Sequence, residues 1–242
     1  MNIFMKKIKP ILIILLFISI ISCEKDDSKI NNNTKVPIYK KVLSDTILID
    51  IDSNRYKIVS INDKKWMAEN LRVTHYRNGD TIPCLKSNYE WANAEMGGYS
   101  FYKNDSTNLK IFGNIYIWNT IEWGDVCPEG WHIPNNADWE DLQSAMGGSG
   151  VAGGKLKGTG TDYWVSPNSR ATDSVGFNAL PGGIRNGVGT FNRLYYSAYF
   201  ISSSTNGTEV YIMGLRNDDA GSLLGSYHCF GIDGYYIRCI KD

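Results

Sequence analysis

Twelve residues near the middle of the chain, GGSGVAGGKLKG from Gly147 to Gly158, set clustered glycines ahead of lysines, the composition of a loop that wraps phosphate. That chemistry needs G-x4-G-K-[ST]: glycine amides hold the phosphate oxygens and the last hydroxyl binds magnesium. Counting back from Gly154 and Lys155 puts Ser149 in the first glycine place and Leu156 in the hydroxyl place. A strand must also come before such a loop, and here the preceding residues carry a helical pattern. G-x-S-x-G, which seats a serine nucleophile, fails at Val151. The stretch reads as a helix C-cap and a loop, with no nucleotide.

The other reactive residue types are scattered. His75, His132 and His228 show neither H-x-H nor H-x3-H spacing. Cys127, His132, His228 and Cys229 are zinc-type donors, but they lack the paired spacing of zinc sites. A triad needs nucleophile, base and orienting group within reach of one another, and three dispersed histidines give no local signature of one. Asp138, Glu140 and Asp141 are explained as charges in the first turns of a helix, where they favour its dipole. No cofactor and no metal are expected, and the chain reads as a binding protein, not an enzyme.

The N-terminus sets the compartment. Lys6, Lys7 and Lys9 precede an apolar run from Ile11 to Ile21, a signal-peptide pattern too short to span a bilayer. Ile20, Ile21 and Ser22 stand directly before Cys23, which resembles a bacterial lipobox. Residues 1–22 are thus expected to be a lipoprotein signal peptide and Cys23 the lipid anchor, holding the protein to a membrane. Lys25-Asp26-Asp27 resembles the surface-export signal of lipoproteins in the Bacteroidetes. The expected location is the outer membrane at the cell surface, with its periplasmic face as the alternative. Without residues 1–22 the balance is 22 basic against 25 acidic residues. No basic stripe is present, so nucleic acid is not an expected partner.

Residues 23–45, including EKDDSKINNNTK, are polar with no apolar periodicity and read as a flexible tether. Residues 46–242 suit one domain, and a monomer is expected. Ile47 to Ile51 and Arg55 to Ile61 flank a polar turn and predict a hairpin. NNADWEDLQSAMGG predicts a helix capped by Asn135 or Asn136. Trp139, Leu142 and Met146 share its buried face, and Gly147-Gly148 end it. Beyond Val151 the pattern is glycine-punctuated loop and short strand. The four cysteines left after Cys23 predict two disulfides in an exported domain, with three connectivities open.

CPEGWHIPNNADWEDL (Cys127 to Leu142), GGKLK (Gly153 to Lys157), GFNALPGGIR (Gly176 to Arg185) and YYIRCIKD (Tyr235 to Asp242) closely resemble the Fibrobacter succinogenes major paralogous domain. KKWMAENLRVTHYRNGDTIP at the front is similar too. The resemblance implies an α+β, C-type-lectin-like fold: short twisted antiparallel strands with one or two helices and long loops. It implies no general activity. Cys127 and Cys239 fall in family-typical motifs and Cys84 and Cys229 outside them, which implies the pairs Cys127–Cys239 and Cys84–Cys229. Related formylglycine-generating enzymes work through a cysteine pair with copper, so a redox or metal enzyme using Cys84 and Cys229 is the alternative. A structural envelope protein is a third reading. The carboxylate-bearing elements of calcium-dependent lectins are missing, since Ser166-Pro167-Asn168 has no carboxylate. LYYSAYF stands where the family usually has paired tryptophans, and core packing is expected there. The Tyr-, Asn- and Ser-rich back third is nonetheless the composition of binding loops. The residues expected at a glycan or protein ligand are Tyr195, Tyr196, Tyr199, Asn206, Asn217, Asp218 and Tyr227.

Overall fold

The hairpin expected at the start of the domain forms, and its turn is closed by one carboxylate. A computed structural model describes residues 46–228 and 233–242. The expected signal peptide, Cys23, the tether and Cys229 lie outside the described residues. Strand β1 (Ile47–Ile49) pairs antiparallel with β2 (Arg55–Ile61), with Leu48 opposite Tyr56. The strand stops before Ile51 because Asp50 turns inward and is buried. Its carboxylate accepts hydrogen bonds from the Asn54 amide at 2.9 Å and the Tyr56 hydroxyl at 2.6 Å. Strand β3 (Lys64–Met67) follows through Asn62 and Asp63, both at positive φ. Two such residues in succession make the tight turn whose twist matches a hairpin.

Among the described residues the fold is mixed α/β, mostly antiparallel sheet with few helices. After β3 come the short helix α1 (Asn88–Ala92), strand β4 (Tyr99–Ser100), helix α2 (Ser106–Phe112), strand β5 (Ile115–Ile117) and helix α3 (Asn119–Trp123). Strand β6 (Trp131–His132) leads into α4 (Asn136–Ala145) and α5 (Ser149–Leu156). Strands β7 (Ile184–Arg185) and β8 (Phe191–Asn192) precede the long strands β9 (Ser197–Asn206), β10 (Glu209–Arg216) and β11 (Ser222–His228). Strands β12 (Gly234–Tyr235) and β13 (Ile240–Lys241) end the chain. One sheet has the order β1-β2-β3-β13-β6, so the last strand is inserted beside an early one. A second runs β4-β5-β12-β7-β8, and β9, β10 and β11 form a third.

Helix α4 forms as its sequence predicts. Asn135 is the cap: its side chain accepts from the Asp138 amide, and the Asp138 carboxylate accepts from the Asn135 amide. Trp139, Leu142 and Met146 are buried. Trp139 meets Trp66 at 5.1 Å and Phe200 at 5.9 Å between ring centres, in the larger of two apolar cores. The second core gathers Tyr56, Trp118, Trp131, Ile201 and Tyr235 around the disulfide between Cys127 and Cys239.

The stretch read as loop after α4 is instead a second helix, α5. Glycine is a poor helix former, and that preference alone argues for loop. Close approach outweighs it here. A Cβ at Gly153 would lie 1.8 Å from the Gly221 carbonyl oxygen, and one at Gly154 would lie 2.6 Å from that of Arg170. The glycines let α5 press against neighbouring backbone.

Burial alone would raise the Asp138 pKa. Hydrogen bonds from Lys64 (3.0 Å), the Asn135 amide and His132 (3.2 Å) lower it below the ordinary carboxylate value. A lowered folded pKa stabilises the fold above the unfolded value, about 3.9, and that contribution is lost as pH falls through the folded pKa. Asp138→Asn should therefore be less stable than wild type by about 1 kcal/mol near neutrality, and the gap should close below about pH 4. Urea unfolding at a series of pH values measures it; a gap unchanged at pH 2 contradicts the assignment.

Candidate functional site

The open part of the β9–β11 sheet is shaped by a residue with no side chain. Gly214 of β10 lies opposite Tyr199 of β9 and Leu223 of β11, so the three make one row across the sheet. Side chains in such a row share a face. A Cβ at Gly214 would stand 3.1 Å from the Tyr199 ring, so the ring rests over the glycine. Tyr199 also packs edge-on against Tyr235 at 6.4 Å, which fixes the ring's far side. Leu223 is 53% exposed. The result is a cleft of about 330 Å³ with Tyr199, Gly214 and Leu223 along it, Arg216 and Asp219 at one end, and Ser149 of α5 on its wall.

The polar end is a short loop after β10. Arg216 donates twice to Asp218, at 3.0 and 2.7 Å, in a fork that matches a carboxylate. The hydrogen bonds from Arg216 hold the Asp218 pKa below its ordinary value, and those to Asp218 raise that of Arg216. Both side chains are exposed, and the pair stays ionised at neutral pH. The Asp219 carboxylate accepts from the Gly221 amide at 2.8 Å. An apolar ring face, an exposed leucine and adjoining charged donors and acceptors suit a ligand with both C–H faces and hydroxyls.

The expected ligand residues divide. Tyr199 lines the cleft, and Asp218 completes its polar end through Arg216. Asn217 is buried and structural: its side chain donates to the Ser166 carbonyl and its amide to that of Tyr196. Asn206 is exposed at the end of β9, opposite Glu209, away from the Tyr199 row. Tyr195 and Tyr196 are 42% and 49% exposed, so the core packing expected for LYYSAYF does not hold for them. Tyr195 sits at positive φ with its ring edge-on to Phe112 at 6.1 Å. Tyr227 lies in β11 opposite Val210. Arg216, Gly214, Asp219 and Leu223 were not anticipated. The alternation across SLLGSYH and EVYIMGLR carried the signal, with one glycine in each strand.

The disulfide Cys127–Cys239 is formed, with an S–S distance of 2.04 Å. Cys84 is half-buried and in no disulfide with another described residue, and its expected partner Cys229 lies outside the described residues. Both ring nitrogens of His132 lie against carboxylates, Nδ1 at 2.6 Å from Asp242 and Nε2 at 3.2 Å from Asp138. His75 lies against Asp52. Among the described residues no three His, Cys, Asp or Glu side chains gather where they could hold a metal ion. The Cys127 thiol of the paper zinc set is spent in the disulfide.

The description of the Fibrobacter succinogenes major domain matches residues 59–241. The chain belongs to that family. No curated protein and no solved structure matches it. The family region takes in the whole cleft and three buried cations at its motif positions: Lys157 in GGKLK, Arg185 in GGIR and Arg238 in YYIRC.

If Arg216 is what lowers the Asp218 pKa, removing it must release the carboxyl. In Arg216→Ala an NMR titration should find Asp218 near about 3.9. A value that stays depressed would mean that another group does the holding.

Proposed function

We propose that this member of the Fibrobacter succinogenes major domain family is an anchored cell-envelope lipoprotein with a C-type-lectin-like domain that binds a glycan in the Tyr199–Gly214–Leu223 cleft. Cys23 carries the lipid, residues 23–45 act as tether, and the outer membrane at the cell surface is the site of work. The observation that carries the binding reading is the aromatic ring laid over Gly214 beside the Arg216–Asp218 fork and Asp219. A sugar presents a C–H face to a tyrosine ring and hydroxyls to charged groups. A few placed polar groups beside apolar surface is the usual build of a small-molecule site. The short antiparallel strands, the long loops and the insertion of the C-terminal strand β13 beside the early strand β3 support the lectin-like fold.

A second reading, thiol chemistry, rests on Cys84. No described cysteine pairs with it, and the neighbouring Tyr99 hydroxyl is pushed up to about 12 by burial and then by Cys84 itself. Alkylating Cys84 in the native protein separates the two. Saccharide binding unchanged by alkylation supports the cleft, and binding abolished by it supports the thiol.

The direct test is binding by the domain to a panel of saccharides ending in galactose, glucose, mannose, N-acetylglucosamine or xylose. At least one should bind, and Tyr199→Ala should weaken it by about tenfold or more, roughly 1.4 kcal/mol. No binding across the panel, or equal binding by the variant, overturns the glycan reading and leaves a protein ligand.

A further inference from the structure

Directly after α5 stands Lys157, 0% exposed. Lysine is almost never fully buried unless its charge is compensated. Among the described residues no carboxylate makes an ion pair with it; Asp218 and Asp219 act on it only at longer range. Burial pulls its pKa down to about 8. Its Nζ donates instead to two backbone carbonyls, those of Arg216 and Asp219, each at 2.7 Å, and lies 5.4 Å from the centre of the Trp164 ring.

Those two carbonyls are the two ends of the polar loop of the cleft. The carbonyls between and beyond them are held from the same side. The Ser169 amide donates to the Asn217 carbonyl at 2.7 Å, and the Gly154 amide of α5 donates to that of Ala220 at 2.7 Å. Four carbonyls of one short loop thus point inward to fixed donors, while the side chains of Arg216, Asp218 and Asp219 face the cleft or solvent. A loop tied at one end could swing. Lys157 ties both ends to one atom, which sets the span between Arg216 and Asp219.

We propose that Lys157 is a positioning residue for the ligand cleft: its buried ammonium holds the Arg216–Asp219 loop in the shape that binds. The inference rests on the cleft being the binding site. It explains why a lone charge stays in a core that an apolar side chain could fill. Replacing a buried charge by an apolar residue often leaves a fold as stable or more so. Retention then points to what the charge orders. Ligand affinity gains when a loop is fixed in advance, because binding no longer has to order it.

The test compares wild type with Lys157→Met and Lys157→Gln, the second keeping an N–H donor pair on a shorter arm. Amide hydrogen exchange is read along the chain without ligand. Lys157→Met should speed exchange at Asn217 to Gly221 by about tenfold or more, leave Met213 and the β2 amides unchanged, and Lys157→Gln should recover part of the protection. Unchanged exchange in the loop, or faster exchange spread evenly through the core, overturns the proposal. Binding of the same saccharide panel is measured alongside. A wild type that binds none of it refutes the glycan reading by itself, while the exchange data still decide whether Lys157 orders the loop. If wild type binds and Lys157→Met binds as tightly, the positioning role is refuted even if the loop has loosened.

Discussion

Buried cations that donate to backbone carbonyls hold this fold together. Most of the chain between the short strands is loop, and a loop packed inside a domain leaves carbonyl groups that must find donors. Arg185 satisfies four of them, those of Leu85, Lys86, Ser87 and Gly189. Arg238 takes the carbonyls of Phe177 and Asn178 and the Asn70 side chain. Lys157 takes two more. A guanidinium carries five donors in a planar fork, which is why arginine does most of this work. Burying a charge is costly, and among the described residues no carboxylate makes an ion pair with any of the three, though carboxylates act on each at longer range. Charge-assisted hydrogen bonds offset part of the cost. Aromatic faces offset more: Arg185 lies 4.4 Å from the Trp91 ring centre and Arg238 lies 4.3 Å from that of Phe177.

The staples also decide connectivity. Arg185 joins β7 to a segment about a hundred residues earlier, just ahead of α1. Arg238 sits one residue before Cys239, whose disulfide joins the end of the chain to Cys127. The last strand, β13, lies between β3 and β6, with Ile240 opposite both Trp66 and His132. Guanidinium, disulfide and strand therefore act on four consecutive residues, Arg238 to Lys241. Such contacts span most of the sequence, and they bring the family motifs, far apart in the chain, onto shared loops.

What a sequence shows locally was legible. Asn135 and Asp138 announce the start of α4 by side-chain chemistry, and Trp139, Leu142 and Met146 give its buried face by spacing alone. The hairpin of β1 and β2 was readable in the same way, and the Cys127–Cys239 bond came with the family motifs. What failed depended on partners elsewhere. The glycines of GGSGVAGGKLKG read as loop because their reason is the backbone of Gly221 and Arg170, distant in sequence. Tyr195 and Tyr196 took the place of family tryptophans and looked like core, yet β9 begins at Ser197, so both precede the strand and face outward. Asn217 has the composition of a binding residue, but its amide and side chain are used up by Tyr196 and Ser166. Lys157, Arg185 and Arg238 were visible as motif residues, and nothing in their neighbours said that they were buried.

Arg216 and Arg185 show how one side chain serves two ends. Both donate through a guanidinium in a loop-rich region. Arg185 is buried, and its donors are committed to four backbone carbonyls, of which those of Lys86 and Ser87 also accept from the Asn104 side chain and the Trp91 amide. Releasing one would leave a buried polar group unpaired, at about 1–3 kcal/mol. Arg216 is exposed, and its bond to Asp218 competes with water at every moment. Exposed pairs of this kind contribute about 0–1 kcal/mol. A ligand hydroxyl can therefore enter that fork at small cost, whereas it could not enter the one at Arg185. The same chemistry fixes the frame where water is excluded and stays available for recognition where water reaches it. Lys157 stands between the two cases: buried like Arg185, but tied to the loop that Arg216 opens.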